Sequence, residues 1–164
     1  MPQKKPNNDA QAHAAGFARY AFEYIEAAQV VDETIGRREG YEIVSPVPAY
    51  YLAMHGIELT LKAFLRYHGV EARSLRNPKE YGHDLHACFR KAKELGLLDI
   101  YKMREGDEKA MRLLIELNEH QGLRYVRTGW KEFPSWAIVK PLAVRLHQAV
   151  APLVGHKTFT GHIG

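Results

Sequence analysis

Cysteine is nearly absent from this sequence. Cys88 is the single one, so no intramolecular disulfide is available. Its place in the apolar series Leu85, Cys88, Phe89, Ala92 gives it the role of a small buried hydrophobe in a reducing cytoplasm. Long apolar runs are missing too. The first sixteen residues, MPQKKPNNDAQAHAAG, carry no signal-peptide core, and no later stretch reads as a membrane-spanning helix, so neither export nor insertion is expected. Several catalytic signatures are also lacking. There is no His-Glu-x-x-His helix and no serine nucleophile elbow, and Gly155-His156-Lys157 lacks the earlier glycine that a phosphate loop requires. His83 and His86 stand three apart without a third ligand at suitable spacing, so neither a metal nor another cofactor is expected.

What is present is the composition of an ordinary globule. The 164 residues are 46% hydrophobic and 26% charged, enough for one domain with a real core and too few for two. The net charge of +4 is unevenly placed. Residues 1–36 set Lys4, Lys5 and Arg19 against Asp9, Glu23, Glu26, Asp32 and Glu33, whereas residues 62–93 hold eight Lys or Arg against Glu71, Glu80 and Asp84. The positive field lies in the middle of the chain.

Periodicity predicts an all-α, up-and-down bundle of about five helices. Ala10, Ala14, Phe17, Ala21, Tyr24, Ala28, Val31 and Ile35 recur in steps of four and three, a helix seam stopped by Gly36. Pro46 and Pro48 open a second helix that is apolar on most faces and therefore central. Gly56 in its middle implies a close helix crossing. The segment VEARSLRNPKEYG reads as a loop. A third helix runs from 84 to 95, and a fourth begins at Asp107 as N-cap, with Ala110, Met111, Leu113, Leu114 and Leu117 inward. A fifth begins at Ser135, with Trp136, Val139, Leu142, Ala143, Leu146 and Val150 inward and Pro141 as a kink. Residues 1–8 are expected to be a disordered tail, 9–154 the bundle, and 155–164 a frayed, flexible tail.

The stretch YGHDLHACFRKAKELG, residues 81–96, holds the most telling local pattern. Asp84 suits the positive end of a helix dipole, but His83 does not, because a cation is disfavoured there. If His83 faces the groove at the end of the second helix, Glu58, Lys62, His83 and Arg124 converge there. They would form either a hydrogen-bond network that fixes the register of the bundle or a binding site. The connector GLRYVRTGWKEFPSW interleaves Arg124, Arg127 and Lys131 with Tyr125, Trp130 and Trp136. Such cations and flat rings either hold single-stranded nucleic acid or seal the end of the bundle.

With HGIELTLKAFLRYHGV on the second helix and YGHDLHACFRKA on the third, the chain resembles the HEPN family of prokaryotic helical domains over about residues 15–150. Glu58 and Lys62 match an acid and a lysine on one helix, His83, Asp84 and Leu85 a His-Asp-Leu helix start, and Arg124 and Tyr125 an Arg-Tyr pair. The resemblance implies a dimerising, nucleotide- or RNA-associated module, often beside a minimal nucleotidyltransferase and possible in toxin–antitoxin or defence systems. Glu58, Lys62, His83, Asp84, Arg124, Tyr125, Arg127 and Trp130 are its candidate ligand contacts. Some members are metal-independent ribonucleases with an arginine, four to six residues, then a histidine. Arg76 and His83 satisfy that spacing, but Pro78 and Gly82 place them in a loop before the third helix, whereas nuclease members carry the motif late in the bundle on a helix. A non-catalytic module is therefore the first expectation and an endoribonuclease using Arg76 and His83 the alternative.

Overall fold

Small side chains determine how the first two helices meet. In the computed structural model, which describes residues 8–120, 123 and 132–161, α1 (Asn8–Thr34) turns Ala10, Ala14, Ala18, Ala21, Ile25 and Ala28 inward against α2 (Val47–Tyr67). The expected close crossing is at Gly56, where a Cβ would stand 2.5 Å from Ile25 Cγ1 and 3.3 Å from Ala21 O. The buried stripe lies one residue along from the predicted seam at its larger positions. Phe17, Tyr24 and Val31 are only half-buried, and Ala18 and Ile25 take the centre. Both stripes lie side by side on one helix, and the shorter approach distance favours the one richer in alanine.

α2 is central. Every residue from Gly56 to Leu65 is buried, and the helix packs against α1, α4 and α7. Five longer helices, α1, α2, α4 (Leu85–Glu94), α6 (Asp107–Glu119) and α7 (Trp136–Val150), carry the bundle, and no strand occurs among the described residues. Two short helices were not foreseen. α3 (Ala72–Arg76) lies inside the segment read as a loop and buries Leu75, and α5 (Leu97–Ile100) follows Gly96 and buries Leu97. Such single turns carry too few residues for a period to be visible.

The inward faces read for α4, α6 and α7 are buried as expected, Cys88 among them. Asp107 differs. Gly106, at φ 87°, holds the cap position, and Asp107 lies in the first turn of α6 with 2% exposure. Its Oδ2 accepts hydrogen bonds from Tyr101 Oη, the Arg104 N–H and Arg145 Nη1 at 2.8, 2.8 and 3.0 Å. The remote partner Arg145 on α7 recruits the carboxylate away from simple capping.

Trp136–Val154 corrects the expectation that no segment has the length of a membrane span: it runs for 19 residues, and an 18-residue window of it has a mean hydropathy of 1.2. In the bundle Val139, Leu142, Val144 and Leu146 of this segment are buried in the core, and α7 packs on α1, α2 and α6. Beyond it, residues 155–161 lie back on α1 and α7. Phe159 stacks on Phe22 with centroids 4.3 Å apart, and Gln148 Nε2 donates to Phe159 O and Gly161 O.

Candidate functional site

Helical spacing alone places His55, Glu58 and Lys62 on one face of α2, at i, i+3 and i+7. The segment between α3 and α4 then brings His83 over them, and its conformation follows from three residues. Asn77 O accepts from the N–H groups of Glu80, Tyr81 and Gly82 at 3.0, 3.1 and 2.9 Å, and Asn77 Oδ1 accepts from the Lys79 N–H. Gly82 is at φ 33°, and a Cβ there would stand 2.8 Å from Pro78 Cα, so only glycine closes this turn. Asp84 caps α4, its Oδ1 accepting from the Ala87 N–H at 2.9 Å, as its sequence position predicts.

The turn is tied to α2 through Lys62. Its ammonium donates to Glu58 Oε1 at 2.9 Å and to Gly82 O, and both side chains are buried. His83 Nδ1 lies 3.2 Å from Glu58 Oε1, and His55 Nδ1 lies 3.5 Å from Oε2. Asn118 Nδ2 of α6 donates to His83 O at 2.7 Å, so three helices hold the histidine. The Tyr24 ring packs perpendicular to His55 with centroids 4.5 Å apart, and the Tyr51 ring lies parallel to His55 with centroids 6.3 Å apart.

Burial alone would raise the Glu58 pKa, but the hydrogen bond from His55 and the charge and hydrogen bond of Lys62 outweigh it and hold the carboxyl at about 2. Glu58 is therefore ionised at any physiological pH, and both imidazoles must present Nδ1–H to it. The buried pair is electrically neutral. The ring of His83 is the accessible part, with 63% of its side chain exposed. Cys88 stands nearby but is inert, because burial pushes its thiol up to about 12.

The sequence-predicted residues thus divide. Glu58, Lys62 and His83 are brought together, with Asp84 immediately beside them as the helix cap. Arg76 is exposed at the end of α3, and its charge, like that of Arg66, falls on His13 of α1. No hydrogen bond or ion pair joins Arg76 to His83. Arg124, Tyr125, Arg127 and Trp130 lie outside the described residues. His55 joins Glu58, Lys62 and His83 and is not among the sequence-predicted residues. The signal that would have placed it in the site is its i, i+3 spacing to Glu58, which puts both side chains on one face. No protein family, curated protein or solved structure matches the chain.

Proposed function

We propose that the chain is a non-catalytic HEPN-like module that associates with nucleotide or RNA in the cytoplasm. In this reading it works as a homodimer beside a partner protein such as a minimal nucleotidyltransferase, in a toxin–antitoxin or defence setting. The observation that carries the reading is the meeting of Glu58, Lys62 and His83, residues from two separate parts of the family pattern, around one buried carboxylate. Lys62 is consumed in fixing the turn before α4, so its charge is structural. The exposed ring of His83 then remains to meet a ligand at the start of α4, where the free N–H groups and the helix dipole favour a phosphate.

Holding is favoured over cutting because a metal-independent ribonuclease needs a second group beside the histidine to stabilise phosphate charge. Arg76, the residue at the family's spacing, makes no bond to His83. The exposure of both side chains is the observation that favours the nuclease alternative. Labelled single-stranded RNA incubated with the purified chain in EDTA separates the two. Retention without cleavage is expected. Cleavage that disappears in both Arg76→Ala and His83→Ala while their thermal melts stay unchanged would establish the alternative instead.

The dimer is a separate test. The inner stripe of α1 is used within the bundle, so a two-fold contact must employ another face. Light scattering at high micromolar concentration should give about twice the chain mass of 18.7 kDa, and a monomer there would remove this part of the proposal.

A further inference from the structure

We infer that His55, Glu58 and His83 form a binding site for a borderline transition-metal dication such as Zn²⁺, with part of its coordination sphere open to solvent. The inference rests on the geometry of the three side chains and not on the RNA reading. One ligand atom from each lies within 4.8 Å of the other two. His55 Nδ1 and His83 Nδ1 flank the carboxylate at 3.5 and 3.2 Å. Bonds of about 2.0–2.1 Å in a tetrahedral sphere set neighbouring donors roughly 3.3 Å apart. The two histidine-to-carboxylate spacings are close to that value but run to different oxygens, Oε2 for His55 and Oε1 for His83, so both rings must shift toward one oxygen and toward each other to share an ion.

The donor set chooses the metal. Two imidazoles and one carboxylate suit Zn²⁺ and its neighbours, whereas Mg²⁺ and Ca²⁺ prefer oxygen alone. The carboxylate is already ionised, so the ion displaces no proton from it. Each imidazole would coordinate through Nδ1 and carry its hydrogen on Nε2.

The supports resemble those of a built site. His55 and Glu58 sit on a rigid central helix, and His83 is fixed by the Asn118 bond to its carbonyl and by the capped start of α4. The Tyr24 ring packs perpendicular to the His55 ring, and the Tyr51 ring lies parallel to it. Three protein ligands with an exposed third histidine leave room for water or an oxygen ligand, unlike a closed structural zinc.

Lys62 works against the ion, because its ammonium is 2.9 Å from Glu58 Oε1. Its charge weakens binding, while its bond to Gly82 O holds the turn that presents His83.

The test uses the untagged chain, freed of metal with EDTA and dialysed, and titrated calorimetrically with Zn²⁺ and separately with Mg²⁺. One Zn²⁺ per chain is expected, with no Mg²⁺ uptake. His83→Ala and His55→Ala should each weaken Zn²⁺ by about tenfold or more. His86→Ala, an exposed histidine on the next turn, should leave it unchanged. Co²⁺ added to the wild type should give the visible bands of a low-coordinate site and lose them in His83→Ala. Because that ring is exposed, the variant keeps the test valid even if His55→Ala folds poorly. Zn²⁺ uptake well below one per chain overturns the inference, as does wild-type affinity in His83→Ala. RNA retention is measured in EDTA, so the failure of either reading is distinguishable from failure of the other.

Discussion

His83 Nδ1 stands 3.2 Å from Glu58 Oε1, across twenty-five residues of chain, joining a largely exposed ring to a carboxylate that is 1% exposed. The two ends of this contact have unequal energetic weight. Glu58 keeps Lys62 and His55 when His83 is removed. In metal-free protein His83→Ala should therefore cost about 1 kcal/mol or less, the range of one hydrogen bond partly replaced by water. Lys62→Met leaves a buried carboxylate without its cation and Gly82 O without its donor, and should cost about 3–5 kcal/mol. Urea unfolding of both variants measures the difference. Equal losses would show that the ion pair does not anchor the turn.

Acid sensitivity follows from the same carboxylate. The Glu58 pKa is depressed from 4.5 to about 2 in the folded chain. Its stabilising contribution is therefore fully present above pH 4.5 and lost as pH falls toward 2. Glu58→Gln should flatten the acid limb of the stability curve in EDTA. An acid limb identical to wild type would mean that other carboxylates govern acid unfolding.

Gly56 against Ile25 is the tightest constraint on the α1–α2 crossing. A methyl group at Gly56 would stand 2.5 Å from Ile25 Cγ1 and 3.3 Å from Ala21 O. The helix-propensity gain of about 1 kcal/mol from Gly56→Ala should be overridden by overpacking worth about 1–3 kcal/mol. The double change with Ile25→Val should recover part of the loss. A single variant that melts above wild type would show that the crossing has slack.

This close approach was legible in the sequence because a glycine in an otherwise apolar helix needs a reason, and a nearby alanine stripe supplies one. The inward residues of α4, α6 and α7 were legible for a similar reason, since each helix has one strong apolar face. The choice between Phe17 and Ala18, or Tyr24 and Ile25, was not. Adjacent stripes on α1 are both apolar, and only the partner helix selects one. Asp107 was misplaced for another reason: its partners include Arg145, thirty-eight residues away, and local capping rules contain no such information. In the site, Asp84, Glu58 and Lys62 follow from local spacing. Bringing His83 onto Glu58 depends on the turn at Gly82, a tertiary fact for which the sequence offered only a hint in its glycine.

RNA retention, if the proposed module holds RNA, should weaken as salt rises, because each neutralised phosphate releases counterions. A plot of log affinity against log salt should have a negative slope, and His83→Ala should lower affinity at every salt concentration with little change in the melt. Absence of RNA affinity even at low salt would remove nucleic acid from the proposed function and leave the nucleotide.

His147 supplies a second pH-dependent element, distant from Glu58. Its ring is 0% exposed. Nε2 faces Ala18 O at 2.8 Å and must donate to it, so in the neutral ring Nδ1 accepts from Thr158 Oγ1 at 2.7 Å and ties the C-terminal segment to α7. Burial lowers the pKa below 6.5 against the opposing hydrogen bond to Ala18 O, and His156 adds to the lowering. A histidine whose folded pKa lies below its unfolded value stabilises the chain fully above the unfolded value and ceases to do so as pH falls through the folded one. The melting temperature should therefore fall as pH drops below 6.5, the unfolded value. His147→Gln can donate to Ala18 O without titrating and should remove much of that slope. His13 and His68, whose pKa values burial also lowers, should leave a remainder. Charging the ring also forces Thr158 to change from donor to acceptor, so amide exchange at 158–161 should quicken over the same interval in wild type but not in His147→Gln. Identical pH slopes for the two proteins would show that His147 is not the group being titrated.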